Sequence, residues 1–328
     1  MGKVKPYFYS VDLLRGLAAL FVCIYHFINH SDGKGDLLES SSFIRENSYL
    51  LIDSVFVFFM ISGFVIPLSM IRQDFKIKRF PMFLFRRWVR IEVPYLASIA
   101  CILFIGYLWS TKGADFSVDG KQLFHHVFYT ASFFDQAWLN PIYWTLAIEF
   151  QFYIFIALVF PIVTSKTDWV RYGSLILISS LSFISDDTRF LLHYTPLFVI
   201  GLLYLFYLSE DTRKSFHLFF MALLLIEIGF VFSIATSIYL LIAFIIVEFL
   251  QLSATSVFVR FGKMGYSFCL MHGVFGSTFI YFMRSYIDNA FLLIFLALIV
   301  AIGLSFLYFK IIEEPSQKLS KKINYSEK

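Results

Sequence analysis

Charge is scarce in this sequence. Only 15% of its 328 residues are Asp, Glu, Lys or Arg, against about a quarter in soluble globular chains. That shortage excludes an exterior that faces water everywhere. No stretch between the apolar runs is long enough to bury a core, so a large soluble domain is excluded as well. Cysteine is nearly absent. Cys23, Cys101 and Cys269 lie inside apolar runs without ligand-like spacing, which excludes a disulfide framework and a zinc site, and no metal is expected. Internal repeats and low-complexity linkers are lacking. So is a small-residue cleavage site behind Lys3 and Lys5, and the first apolar run carries Arg15 and His26. That run therefore reads as a retained first span, not a removable signal.

In place of charge there is apolar and aromatic surface. Hydrophobic residues make up 59% of the chain, with 43 Phe, 19 Tyr and 5 Trp, and the mean hydropathy is +0.75. The composition predicts an all-α, polytopic integral membrane protein, with 1–328 as a single transmembrane domain. A helix crosses roughly 30 Å of hydrocarbon in about 20 residues. About ten runs approach that size: 8–29, 49–71, 92–110, 142–164, 170–185, 190–208, 216–232, 234–252, 264–283 and 290–311. A spanning barrel would show alternating segments of about ten residues, and unbroken runs such as 291–303 exclude it.

Basic residues favour the cytoplasmic side of a membrane. With the N-terminus inside and ten spans alternating, 20 of the 27 Lys and Arg fall inside and 6 outside, and Arg15 is embedded in the first span. The split predicts cytoplasmic termini, with 312–328 as a short cytoplasmic tail. The net charge of +4 needs no nucleic-acid partner, since anionic lipid headgroups suffice.

Charges in hydrocarbon are expensive and tend to mark function. Arg15 and His26 are eleven residues apart. At 100° per residue they return to within about 20° of one another, about 16 Å apart along a helix. Singly, they also read as an arginine snorkelling to the inner headgroups and a histidine at the outer interface. Together on one face they point to a lined cavity. Asp12 can pair with Arg15 at i, i+3, and Gly16, Ala18 and Ala19 allow close approach. Ser62-Gly63 reads as close helix packing or as a substrate contact. Arg86, Arg87 and Arg90, at the end of the inner loop before the third run, have a helical spacing that crowds three guanidiniums together. Such a patch suits bidentate capture of phosphate; topology anchoring is the other reading. Glu149 lies about two turns into the fourth run, at a depth that matches His26, its candidate partner. His272 reads as a structural hydrogen bonder or as a catalyst. Glu227, Glu248 and His193 have no motif around them, and His125 and His126 are expected to be solvated in an outer loop.

These residues fall into six ordered motifs. They are Asp12-x-x-Arg15-Gly16-x-Ala18-Ala19 with His26, Phe58-Phe59-x-x-Ser62-Gly63-Phe64, and Arg87-x-x-Arg90-Ile91. Then come Trp144-x-Leu146-x-x-Glu149-x-x-Phe152-Tyr153, the stretch 266–272, and Glu313-x-Pro315. Over nearly its whole length the chain resembles acyltransferase family 3, integral membrane O-acyltransferases that often modify cell-surface or secreted polysaccharides. Thr145, Cys269 and Val93 depart from the usual pattern, which bears more on substrate than on class. A stand-alone member is expected, without a fused extracytoplasmic domain.

The resemblance implies an O-acetyltransferase in the cytoplasmic (inner) membrane of a bacterium. It implies acyl-CoA, typically acetyl-CoA, as cytoplasmic co-substrate, with no tightly bound cofactor. The acceptor would be a hydroxyl of a polysaccharide or of its lipid-linked precursor. Arg15, Arg86, Arg87 and Arg90 would hold the donor. His26 would serve as general base and Glu149 would orient it, with an acyl-histidine route as the alternative. Asp12, Ser62, Trp144, Tyr153 and His272 would support substrate or structure. Outer segments 30–48 and 111–141 would contribute to acceptor choice. A transporter or exporter of a glycan or lipid-linked substrate is the rival class; inverted repeats would favour it, and no two halves match.

Overall fold

The computed structural model describes residues 7–29, 37–38, 42–111, 116–209 and 214–323. It is 82% helical, and no strand occurs among the described residues. The charge asymmetry rests partly on Lys3, Lys5, Lys34, Lys112, Arg213 and Lys328, which lie outside the described residues. In chain order the helices are α1 (Tyr9–Asn29), α2 (Phe43–Ile52), α3 (Phe56–Arg72), α4 (Phe80–Ser110), α5 (Gly120–Val127), α6 (Tyr143–Val163), α7 (Asp168–Ser179) and α8 (Leu191–Ser209). They continue with α9 (Lys214–Val231), α10 (Ile234–Phe249), α11 (Val257–Lys263), α12 (Gly265–Met271), α13 (Thr278–Met283), α14 (Ala290–Tyr308) and α15 (Glu314–Lys322).

Each of the ten apolar runs is helical, but they are not ten equal spans. Among the described residues, seven helical stretches are long and apolar enough to cross a membrane: 9–29, 43–72, 77–110, 143–163, 191–209, 214–231 and 290–322. The protein is accordingly an all-helical integral membrane protein. The other three runs are short or interrupted. The 12 residues of α7 reach about 18 Å and the 16 of α10 about 24 Å, both below the hydrocarbon thickness. The ninth run is divided by a π-helical turn, His272–Ser277, between α12 and α13.

Polar residues inside the apolar runs account for these irregularities. The Ser233 hydroxyl accepts from the Thr236 amide at 2.9 Å and caps α10. The Asp53 carboxylate in turn accepts from the Ser233 and Thr236 hydroxyls. Glu227 accepts from Ser179 at 2.6 Å and from Ser182 at 3.3 Å, which ties α7 to α9. Glu248 takes the Tyr204 and Tyr207 hydroxyls, both at 3.3 Å. Three carboxylates without a motif thus fix helix ends and neighbours, as expected of charge in hydrocarbon. His125 and His126 are buried, contrary to expectation. The His126 ring bonds the Gln122 carbonyl through Nδ1 at 2.8 Å, and its Nε2 accepts the Leu139 amide at 2.9 Å. That requires the neutral ring, with its proton on Nδ1. The packing folds 116–142 down onto α4, where Tyr129 donates to the buried Glu92 at 2.8 Å.

Helices α3 and α8 pack backbone to backbone, and two glycines permit it. A Cβ on Gly63 would land on the Phe198 carbonyl, and one on Gly201 would land on the Met60 carbonyl. Around this contact lies the main core, including Phe59, Phe64, Phe152, Phe198 and Leu203. Across the molecule, Gly262 of α11 sits against the Asp12 backbone of α1, with Gly16 opposite. A Gly63→Val change should lower the melting temperature in detergent by the equivalent of about 1–3 kcal/mol of overpacking. Gly173→Ala, inside α7 where a methyl group meets nothing within 4 Å, should not lower that temperature and should raise it slightly in the same scan.

Candidate active site

Among the described residues, cavities line α1 at three places. The inner one, about 120 Å³, is walled by Arg15 of α1, Ser62 of α3, Arg87 and Arg90 of α4, Glu149 and Tyr153 of α6, Tyr266 of α12 and Glu313. A larger vestibule of about 490 Å³ shares Arg15, Arg90, Tyr266 and Glu313 with it. The outer cavity, about 270 Å³, is walled by His26, Trp109, Asn140, His272 and Thr278. Helix α4 runs the whole distance, from Arg87 at the inner cavity to Trp109 at the outer one.

Within the inner cavity the carboxylate is held by neutral donors. Tyr153 donates to Glu149 Oε1 at 2.6 Å and Ser62 donates to the same oxygen at 3.1 Å. The Arg87 guanidinium lies 5.5 Å from the Phe83 ring centroid and 5.8 Å from that of Tyr153, faces that suit a desolvated arginine. Arg15 pairs with Asp12 at 3.5 Å, and Tyr7 donates to Asp12 at 2.8 Å. Glu313 accepts from the Ser267 amide at 2.9 Å, from the Ser267 hydroxyl, and from Gln317 at 2.7 Å. Tyr266 donates to the Ile91 carbonyl at 3.0 Å and closes the wall between α12 and α4.

The outer cavity carries the imidazoles. The rings of His26 and His272 stack, with centroids 5.4 Å apart and an interplanar angle of 30°. His272 Nδ1 is 3.1 Å from the Phe268 carbonyl. A carbonyl only accepts, so Nδ1 carries the proton and Nε2 is left as an acceptor. His272 opens the π-helical turn, a deviation that recurs at functional sites.

The residues singled out in the sequence are therefore divided between cavities. Arg15, Arg87, Arg90, Ser62, Glu149 and Tyr153 meet in one, and His26 and His272 in another, with no lining residue in common. Glu149 faces the arginines and not His26, so the expected His26–Glu149 pair is replaced by Glu149 with Ser62 and Tyr153. The single passage expected along the Arg15–His26 face is closed midway. Ala19, Val22 and Cys23 are fully buried there, and Asn140 donates to the Leu270 carbonyl at 2.9 Å while accepting the Ile142 amide at 3.2 Å. Arg86 leaves the expected trio: it bonds Gln73 and, at 3.4 Å, the Ile323 carbonyl, and it lines neither cavity. Arg86, Arg87 and Arg90 also stand within α4, not in the loop before it, because the helix begins at Phe80. Trp144 packs on Phe59 and Tyr194 as scaffold. Asn140 and Trp109 were not singled out in the sequence, and Tyr266 entered only as the start of the stretch 266–272. For Asn140 the available signal was the Asn140-Pro141 turn just ahead of α6.

One protein-family model, described as an acyltransferase domain, matches residues 8–310. Comparison with curated proteins and with solved structures gives no match. The Glu149 clamp is open to a direct test. Tyr153→Phe removes one of two hydrogen bonds to a carboxylate and should cost about 1.5–3 kcal/mol. Glu149→Gln on that background should add less than it does alone, a coupling read by a double-mutant cycle on thermal stability.

Proposed function

Because the chain belongs to acyltransferase family 3, whose model covers residues 8–310, we propose a reaction for its cavities: acyl transfer, most simply acetyl, from cytoplasmic acyl-CoA to a glycan hydroxyl. The acceptor is a cell-surface or secreted polysaccharide or its lipid-linked precursor. The protein works in the cytoplasmic membrane of a bacterium with ten spans, short ones included, and both termini in the cytoplasm. The observation that carries the reading is the line of cavities along α1, with guanidiniums at one end and stacked imidazoles at the other.

Arg15 and Arg90, which line both the vestibule and the inner cavity, hold the donor's phosphate-bearing end where it enters, and Arg87 stands beyond them along the arm. The acyl-pantetheine arm extends along α1 toward His26, and the Asn140–Leu270 seam parts to admit it. The acceptor hydroxyl enters the outer cavity. His26 takes its proton as the oxygen attacks the thioester carbonyl. The carbon–sulfur bond then breaks, and the leaving thiolate recovers the proton from the imidazolium. A positioned base of this kind contributes about 10²–10⁴-fold in rate. Glu149 acts on the donor side: its charge, held by Ser62 and Tyr153, keeps the guanidiniums of the inner cavity in place. His272, tied at Nδ1, positions the His26 ring by stacking.

Purified protein with acetyl-CoA and the host's surface glycan should release CoA, and His26→Ala should remove that release without changing thermal stability. Vectorial glycan movement without thioester consumption would instead make the protein an exporter. Donor affinity should fall more in Arg90→Ala than in Arg90→Lys, by titration of CoA; equal, unaltered affinity in both would remove the arginine clamp. Tags at either end should be reached by protease only after the membrane is opened to the cytoplasmic side.

A further inference from the structure

The vestibule is built by the C-terminal helix, a segment expected only to be a tail. Ser316 and Ser320 of α15 are buried, and the Ser316 hydroxyl donates to the Val89 carbonyl of α4 at 2.7 Å. Arg86 fastens the helix end through Ile323. This docking turns Glu314, Gln317, Lys318 and Lys321, spaced i, i+3, i+4, i+7, toward the vestibule. The opposite wall comes from Tyr7, Tyr9, Asp12 and Arg15, and Lys263 is set beside it by the tight Gly262–Asp12 contact. Five cationic side chains line the space, Arg15, Arg90, Lys263, Lys318 and Lys321. Its three acids are engaged, Asp12 by Tyr7 and Arg15, Glu313 by Ser267 and Gln317, Glu314 by Lys310 and Lys318, so Arg15 and Lys318 share their charge while Arg90, Lys263 and Lys321 keep the space cationic. The rings of Tyr7 and Tyr9 lie 4.9 Å apart at its edge.

We infer that this vestibule seats the 3′-phosphorylated adenosine diphosphate end of the donor, with Lys263, Lys318 and Lys321 on its phosphates and the adenine against Tyr7 and Tyr9. The inference rests on the acyl-CoA reading above and adds residues to it. A cationic, aromatic-edged space that narrows at Arg15 and Arg90 into the inner cavity matches a ligand with a bulky anionic head and a thin neutral arm. Its size also matches, since it is the largest of the cavities along α1. Phosphate on an anionic lipid headgroup shares the chemistry, and the experiment separates the two sources.

Binding of CoA and of 3′-dephospho-CoA to the full chain would be measured by calorimetry in neutral detergent, with and without phosphatidylglycerol, alongside turnover of acetyl-CoA and acetyl-pantetheine. The wild type should bind CoA about tenfold to a hundredfold more tightly than the dephospho form, the size of one lost charge-assisted contact. The triple variant Lys263→Gln, Lys318→Gln, Lys321→Gln should lose that preference and raise KM for acetyl-CoA, with kcat and acetyl-pantetheine turnover unchanged. The corresponding triple Arg variant should retain the preference. Equal binding of both nucleotides by the wild type, or an effect of the variant that appears only with phosphatidylglycerol, overturns the assignment. Discriminating binding without any turnover leaves the vestibule standing and removes the acyltransfer; turnover without discrimination does the reverse.

Discussion

An ionised side chain surrounded by hydrocarbon persists only where other polar groups hold it, and the interior of this protein is arranged by that requirement. The intramembrane carboxylates are met by hydroxyl or amide donors: Ser62 of a neighbouring helix and Tyr153 of its own for Glu149, Ser267 for Glu313, Ser179 for Glu227. The guanidiniums are placed where carboxylates and aromatic faces meet them. These ties decide which helices adjoin, and so where the bundle leaves space. The cavities follow from the charges, not the charges from the cavities.

The order of the site along the membrane normal has a chemical use. A thioester is reactive toward water as well as toward sugar hydroxyls, and the seam of Asn140, Ile142 and Leu270 keeps the two chambers apart. Neither chamber shares a wall residue with the other. In the proposed reaction, donor and acceptor therefore meet only while the seam is parted, which limits loss of the acyl group to solvent.

The helical bundle was legible in the sequence because apolar length is a local property, and so was the placement of Arg15 and His26 on one helix; the single passage expected between them was not, since each lines its own cavity. What was hidden depends on partners distant in the chain. Ser233 is a local signal for the cap of α10, but nothing near it announces that Asp53, 180 residues away, will hold the Ser233 hydroxyl. Arg86, Arg87 and Arg90 have the right spacing to act together, yet Arg86 is drawn off by Gln73 and Ile323, one thirteen and the other 237 residues away. Glu149 and His26 have matching depth in their spans, but depth does not fix azimuth, and the carboxylate turns to Ser62. His125 and His126 looked like solvent residues because the fold of their loop onto α4 has no signature in periodicity. The charged spacing of α15 was visible in the letters and lacked only a wall to face.

The glycine contacts carry a mechanical consequence. Backbone touching backbone at Gly63 and Gly201 leaves α3 and α8 no side-chain cushion to slide on, and Gly262 against Asp12 does the same for α1 and α11. Each pair is effectively welded into a rigid plate. The inner chamber lies where one plate faces the other, with Arg15 on the first and Ser62 on the second. A widening that lets a ligand arm through would then be a rocking of one plate against the other, and a crosslink between α1 and α3 would arrest it.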